Sequence, residues 1–171
     1  ERLTIQFGTS MCYPISSFGA HVAARPRTSL KTRGNVAMCG TFGYELDPRK
    51  LTDDEKAEVK QQIADYRKYH RLVREGDFYR LVSPTENDFY CAWEFVSPDK
   101  TEAMMTAVVM RQPETRYCVQ RLRGLDPKTY YQDEETGTVY SGAMLMNAGL
   151  NLTRDVYEDG TSVTKHFKAV K

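Results

Sequence analysis

The side chains that most often perform catalysis do not combine into a recognisable reaction centre in this sequence. The three histidines, His21, His70 and His166, lie far apart along the chain. Ser10 and Ser16 have no evident histidine and carboxylate partners for nucleophilic catalysis. The glycines do not follow the spacing of a phosphate-binding loop. We therefore predict no catalytic residue, no metal ligand and no cofactor site within these 171 residues.

The four cysteines give no sign of a metal cluster or a redox motif. Cys12, Cys39, Cys91 and Cys118 form no C-x-x-C pair, and no histidine stands at ligand spacing from them. Their even number would permit two disulfides. Most of them lie in apolar runs, however, where a free cysteine packs as a small hydrophobic residue. We therefore expect free thiols and a reducing cytoplasmic setting, which we interpret as that of a bacterium.

The acidic run Asp53-Asp54-Glu55 could be mistaken for a catalytic cluster, but its position favours helix capping. Thr52 and Glu55 fit a capping box, in which each side chain accepts a hydrogen bond from the backbone of the other. Acidic residues in the first turn also complement the helix dipole. The helix is predicted to end near Gly76. It should bury one stripe of side chains, made up of Val59, Ile63, Tyr66, His70 and Val73.

The residues before this helix have the texture of an alternating α/β segment. Three elements are predicted in this segment. They are a helix from the stretch that opens with residues 3–7, a short buried strand from the small-residue run 19–24 and a second helix from the apolar run 36–42. One strand with two helices cannot bury its own faces. We therefore expect this segment to need further neighbours.

From Asp77 onward the hydrophobic period changes to two. Strand-like runs separated by Pro, Gly and Asp turns predict an antiparallel β-sandwich. We place the domain boundary at the end of the capped helix, which gives domains 1–76 and 77–171. The aromatic residues leave two interpretations open, because Tyr and Trp pack in cores and also stack on sugars. The candidates for a non-catalytic carbohydrate-binding surface are Tyr79, Trp93, Tyr130 and Tyr131, although core packing is favoured for Trp93.

The overall charge argues against nucleic-acid and membrane partners. Twenty-four basic and 23 acidic residues give a net charge of +1, and the only basic group, around residues 25–33, is short and interrupted. His166 lies in a polar terminal run and is expected to be solvated. The chain starts at Glu1 without a Met or a signal sequence, in what reads as the middle of a helix. We therefore expect a fragment of a longer protein.

Several stretches, in the same order and over nearly the whole chain, resemble the α-galactosidases of glycoside hydrolase family 36. The most specific are Leu30-Lys31-Thr32-Arg33-Gly34-Asn35-Val36-Ala37 and Gly40-Thr41-Phe42-Gly43-Tyr44-Glu45-Leu46-Asp47. Further similar stretches are residues 5–14, 19–22, 74–81, 122–127 and 139–150. So many similarities in one order are more specific than any single motif.

The resemblance implies a fold, a reaction and an assembly. Residues 1–76 would be the last helices and the eighth strand of a catalytic (β/α)8 TIM barrel, and residues 77–171 a C-terminal β-sandwich. The reaction would be retaining hydrolysis of terminal α-galactosides of the melibiose and raffinose type, through two Asp carboxylates about 5–5.5 Å apart. The family pattern places both carboxylates upstream of Glu1, so the isolated chain should be inactive. The intact enzymes resemble homo-oligomers, often tetramers.

One segment departs from the family pattern and suggests where substrate binds. Relatives continue through a Pro-Asn-His-Gln loop, whereas here Ala24 passes directly to Arg25, either through a deletion or because a loop is missing from the sequence. Active sites of barrels lie at the C-terminal ends of the strands. The resemblance therefore suggests that His21, Ala24 and Arg25 border the sugar pocket. The alternative, that His21 is simply a buried barrel residue, stays open.

Overall fold

The computed structural model describes residues 1–24, 28–112, 118–155 and 158–170. Helices and strands are numbered along the chain. The helices are α1 (Arg2–Ser10), α2 (Leu30–Ala37), α3 (Asp53–Glu75) and α4 (Gly142–Asn147). The strands are β1 (Gly19–Ala23), β2 (Thr41–Glu45), β3 (Asp77–Val82), β4 (Tyr90–Val96), β5 (Glu102–Val109), β6 (Val119–Gln120), β7 (Tyr130–Asp133), β8 (Val139–Ser141), β9 (Leu150–Asn151) and β10 (Ser162–Val170). No helix in these ranges is long and apolar enough to cross a membrane.

The first part of the chain contains two parallel strands where the sequence predicted one. Helix α2 connects β1 to β2, and the two strands pair in register from Gly19 with Thr41 to Ala23 with Glu45. The apolar run 36–42 is therefore not a helix throughout. Glycine is required at position 40, because a Cβ there would collide with the backbone of Phe18, the residue before β1.

Helix α3 begins as the capping box predicts. The Thr52 hydroxyl accepts from the Glu55 N–H at 3.2 Å, and the Glu55 carboxylate accepts from the Thr52 N–H at 2.9 Å. The predicted stripe is confirmed at Val73, which is buried, but is wrong at His70, which is exposed while Tyr69 packs towards the sheet instead. An α-helix has 3.6 residues per turn. Over the 23 residues of α3 the buried face therefore shifts gradually around the helix.

The predicted antiparallel sheet is confirmed. Within the described ranges six strands pair in the order β3-β4-β5-β10-β7-β8, and β6 pairs with β9 in a separate two-stranded sheet. Strands β4 and β5 are buried almost throughout, because protein covers both faces of the sheet. Helices α1 and α3 lie on one face, and the β6–β9 pair, α4 and the loop around Leu122 lie on the other. The second layer is therefore much smaller than the six-stranded sheet.

The face under the helices joins the segment before residue 76 and the sheet after it into one core. Phe7 of α1 meets Trp93 of β4 edge to face, with ring centroids 6.3 Å apart. Leu72 and Val73 of α3 belong to the same apolar cluster. Trp93 is 1% exposed, as core packing requires. The helical segment and the sheet are thus held together by buried apolar area, which is the dominant favourable contribution to folding.

Polar contacts add direction to this interface. Arg80 of β3 donates to the Ser10 hydroxyl at 2.8 Å and also to the Ser10 carbonyl at the end of α1. Asn35 of α2 donates to the hydroxyl of Ser162 at 2.9 Å, at the start of β10. Because each contact joins an element before residue 76 to a strand after it, the two parts hold a defined relative position.

Helices α2 and α3 approach closely through a glycine, and this gives a matched test. A Cβ at Gly34 would collide with the Gln62 carboxamide, which is buried and donates to the Leu30 carbonyl at 3.0 Å. Gly34→Ala should lower the free energy of unfolding by about 1–3 kcal/mol, in spite of the better helix propensity of Ala. Gly8→Ala in α1 is the control, because nothing lies within 4 Å of its added Cβ. It should stabilise the fold by about 0.5–1 kcal/mol. Urea titration measures both, and equal effects would contradict this packing.

A candidate site at the parallel strand pair

Side chains of β1 alternate between a buried layer and an open cleft. Ala20 and Val22 are fully buried against α2 and its neighbours, whereas His21 and Ala23 face the other way. The cleft on that side has a volume of about 790 Å³. Its polar lining comes from Glu1, Arg2, His21, Thr28, Thr32, Arg33, Glu45 and Asp159, and its apolar lining includes Leu3, Ile5, Phe18, Val36 and Met110. A mixed lining of this kind, apolar walls with a few polar groups, is typical of small-molecule sites.

A histidine–carboxylate pair lies at the side of this cleft. His21 Nδ1 is 2.8 Å from Glu45 Oε1, at hydrogen-bond distance. The side chains are 40% and 65% exposed, so neither is locked in the core. His21 stands opposite Gly43 in the strand register. A Cβ at Gly43 would lie only 2.9 Å from His21 Cδ2, so a larger residue would displace the imidazole ring.

The three predicted pocket residues have different outcomes. His21 lines the cleft. Ala24 follows the end of β1, is exposed, and donates its N–H to the Glu45 carbonyl at 3.3 Å. It is Ala23, not Ala24, that lines the cleft. Arg25 lies outside the described residues, and so does the point at which the sequence departs from the family pattern. That these three residues border the sugar pocket stays a prediction.

Two cleft residues that the sequence interpretation missed are Glu45 and Arg33. Arg33 donates to the Ala23 carbonyl and so joins α2 to the end of β1. Glu45 stands opposite Ala23 in the parallel register, next to the His21 position on the same face. A period-two pattern in residues 41–45 could have indicated Glu45. It became a partner of His21 only once the second strand was known.

Glu94 is the most strongly perturbed acid in the described residues, and it is a rival candidate. It is fully buried on β4, and burial raises the pKa of its carboxyl to about 8. One oxygen accepts from the Arg123 N–H at 2.9 Å, while Oε1 has no hydrogen-bond partner among the described residues. Glu94 does not line the cleft at the parallel strands. Its burial therefore bears on stability and gives it no part in that site.

His166 is a second rival, and its expected solvation is wrong. It is 6% exposed, with Nε2 2.6 Å from Glu102 and Nδ1 2.8 Å from Glu134. Glu134 also pairs with Lys68 of α3 at 2.5 Å. The face of β10 that carries His166 is covered by α3, whose Tyr69 ring lies 4.3 Å from the imidazole ring, centroid to centroid. Burial lowers the pKa of His166, while both carboxylates act in the opposite direction. The cluster joins α3 to the sheet, and none of its members lines the cleft at the parallel strands.

The aromatic residues proposed for sugar stacking are mostly unavailable. Trp93 and Tyr131 are buried, and the Tyr131 hydroxyl donates to the Lys100 carbonyl at 2.7 Å. Tyr79 is partly buried against the core, which leaves Tyr130 as the exposed ring of the four. A single exposed ring gives little support to a separate carbohydrate-binding surface. Among the described residues no group of three or more His, Cys, Asp or Glu side chains could hold a metal ion.

Two family models match successive parts of the chain. Residues 1–76 match the family model Melibiase, and residues 90–167 match the Glycosyl hydrolase family 36 C-terminal domain. Alpha-galactosidase AgaA of Geobacillus stearothermophilus is 50% identical over 159 residues, covering 89% of this chain and 22% of that protein.

Two solved structures are similar over 99% of this chain and 24% of their own. The galactosidase domain of the alpha-galactosidase-sucrose kinase AgaSK has a TM-score of 0.93 and 41% identity. A variant of AgaA from Geobacillus stearothermophilus, solved in complex with raffinose, has a TM-score of 0.91 and 46% identity. These similar proteins are glycoside hydrolases. The chain belongs to glycoside hydrolase family 36 and includes a match to the C-terminal domain of that family. It spans less than a quarter of the length of the relatives described here.

The buried acid Glu94 predicts an unusual pH dependence of stability. Its pKa is raised from 4.5 to about 8 in the folded state, so between these values the folded chain binds more protons than the unfolded chain. Stability from this group is complete below pH 4.5 and is lost as pH rises towards 8, by on the order of 4 kcal/mol. Glu94→Gln keeps the acceptor for Arg123 and removes the titration. Urea titrations from pH 5 to 9 should therefore show a flatter profile for the variant. Parallel profiles for the two proteins would exclude a raised pKa.

Proposed function

We propose that this chain is the C-terminal part of a retaining α-galactosidase that hydrolyses terminal α-galactosyl residues of raffinose-type oligosaccharides. The observation that carries the proposal is the ordered match of both halves of the chain to one enzyme family. The raffinose bound to the AgaA variant supports the substrate class, since that protein is 46% identical over nearly the whole chain.

We further propose that residues 1–76 belong to a catalytic (β/α)8 barrel. The parallel pair β1–β2, with α2 between the strands and α3 after them, has the β-α-β-α order of such a barrel. Parallel sheets are normally buried on both faces and have more strands than two. In the described residues β1 and β2 pair only with each other, which supports a larger sheet completed by other parts of the enzyme. We therefore propose two barrel strands in this segment, where the sequence predicted one.

The chemistry of the proposed reaction requires two carboxylates about 5–5.5 Å apart, one as nucleophile and one as acid and base. The carboxylates of the described cleft are Glu1, Glu45 and Asp159, and Glu45 is already paired with His21. We propose that both catalytic Asp residues lie outside these 171 residues. On this proposal the chain contributes walls of the pocket, and His21 and Ala24 border the sugar at the C-terminal end of β1.

The assembly and the location of the enzyme are part of the proposal. We propose a homo-oligomer, which is supported by exposed apolar side chains on neighbouring strands, Tyr130 of β7 and Val139 of β8. A tetramer is the state suggested by the family resemblance. We propose the cytoplasm as the location, because the four cysteines are all free thiols.

The proposed function predicts different activities for the whole enzyme and for this chain. We propose that this chain is part of a longer enzyme. That whole enzyme should release nitrophenol from nitrophenyl α-galactoside and galactose from raffinose. The 171-residue chain alone should release neither product, because it lacks the two Asp residues that we propose carry out the covalent and proton-transfer steps. A nitrophenyl β-galactoside serves as the specificity control. Turnover by the isolated chain that survives repurification would refute the assignment of both carboxylates to other residues. Absence of turnover by the whole enzyme would refute the function.

A further inference from the structure

The pair formed by His21 and Glu45 needs an explanation other than fold stability. Both side chains are more than a third exposed. Exposed ion pairs contribute only about 0–1 kcal/mol, because water screens them and ordering the side chains is unfavourable. The hydrophobic layer beneath, formed by Ala20 and Val22, already fixes β1 against its helices. The pair is therefore not required to hold the strands together.

The strand next to His21 is shaped to receive its ring. Gly43 stands directly opposite His21 and has no Cβ to meet the ring edge. Glycine in the interior of a strand is unfavourable by roughly 0.5–1 kcal/mol relative to Ala, and it often marks a close approach. Two residues later Glu45 holds Nδ1 at 2.8 Å. One strand thus provides both the space for the imidazole ring and the group that fixes its rotation.

The hydrogen bond to Glu45 also decides what the other ring nitrogen offers. A carboxylate accepts, so Nδ1 carries the proton in the neutral imidazole and Nε2 is left as an acceptor. In the described residues no protein group bonds to Nε2, and the side chain lines the cleft. A group that donates a hydrogen bond from the cleft, such as a hydroxyl, fits this acceptor.

We propose that Glu45 is a positioning residue, which holds His21 so that Nε2 accepts a hydrogen bond from one hydroxyl of the bound galactosyl unit. The inference rests on the proposed α-galactosidase function and adds a specificity-determining pair to it. Glu45 acts through His21 and does not itself contact the sugar. Arg33 stays bound to the end of β1 and has no part in this contact.

The test uses the whole enzyme with Glu45→Ala, His21→Ala and the double variant. The substrates are nitrophenyl α-galactoside and its 2-, 3-, 4- and 6-monodeoxy forms. Loss of one hydrogen bond should lower kcat/KM for the parent substrate by about 5- to 30-fold, mainly through KM. The deoxy substrate that lacks the bound hydroxyl should be insensitive to either variant. The other three deoxy substrates should lose as much as the parent substrate.

The double variant separates positioning from direct contact. If Glu45 acts only through His21, adding Glu45→Ala to His21→Ala should cause no further loss. Additive losses would show that Glu45 binds substrate independently and would overturn the inference. Equal losses on all five substrates would also overturn it, because a merely structural role affects every substrate alike.

Two controls keep the result interpretable. Glu86→Ala removes the same side chain from an exposed turn and should leave all five activities unchanged. The thermal midpoints of the Glu45 and His21 variants should stay close to that of the parent enzyme, since both side chains are exposed in this chain. If the parent enzyme has no α-galactosidase activity, the proposed function fails. If it is active and the variants behave like the parent on every substrate, only the role of the pair fails.

Discussion

The burial of both faces of strands β4 and β5 is the constraint on which the rest of this structure depends. Trp93 and Phe95 point to one face, and Ala92 and Val96 point to the other. A sheet with apolar side chains on both faces needs both of them covered, because a face left in water would expose apolar surface. Helices α1 and α3 therefore have to cover the first face. The segment before residue 76 and the sheet after it consequently share one core.

The buried polar groups of this shared core differ in how well their charges are compensated. His166 and Glu134 lie beside Lys68 and connect α3 with β10, so their charges are compensated. Glu94 lies on the opposite face with one oxygen unpaired, and its desolvation opposes ionisation. Strong perturbation of an acid in this chain is thus a consequence of packing. The groups that face the open cleft, His21 and Glu45, are the ones with access to a ligand.

The sequence by itself determined the local elements whose signals lie within a few residues. The capping box at Thr52 and Glu55, the change to period two after Asp77 and the core position of Trp93 were predicted and are confirmed. Each depends on neighbouring residues, through hydrogen bonds in one helical turn or through alternation along one strand. The family was also determined from sequence, because many short similarities occur in one order along the chain.

Only the tertiary structure decided which distant residues meet. Strand β2 was missed because it is only five residues long and its first two residues belong to the apolar run 36–42, which was assigned to a helix. Without that strand Glu45 could not be recognised as the partner of His21, 24 residues away. His166 was expected in water because its neighbours along the chain are polar. Its burial follows from where β10 enters the sheet, and strand order depends on pairing over long sequence distances.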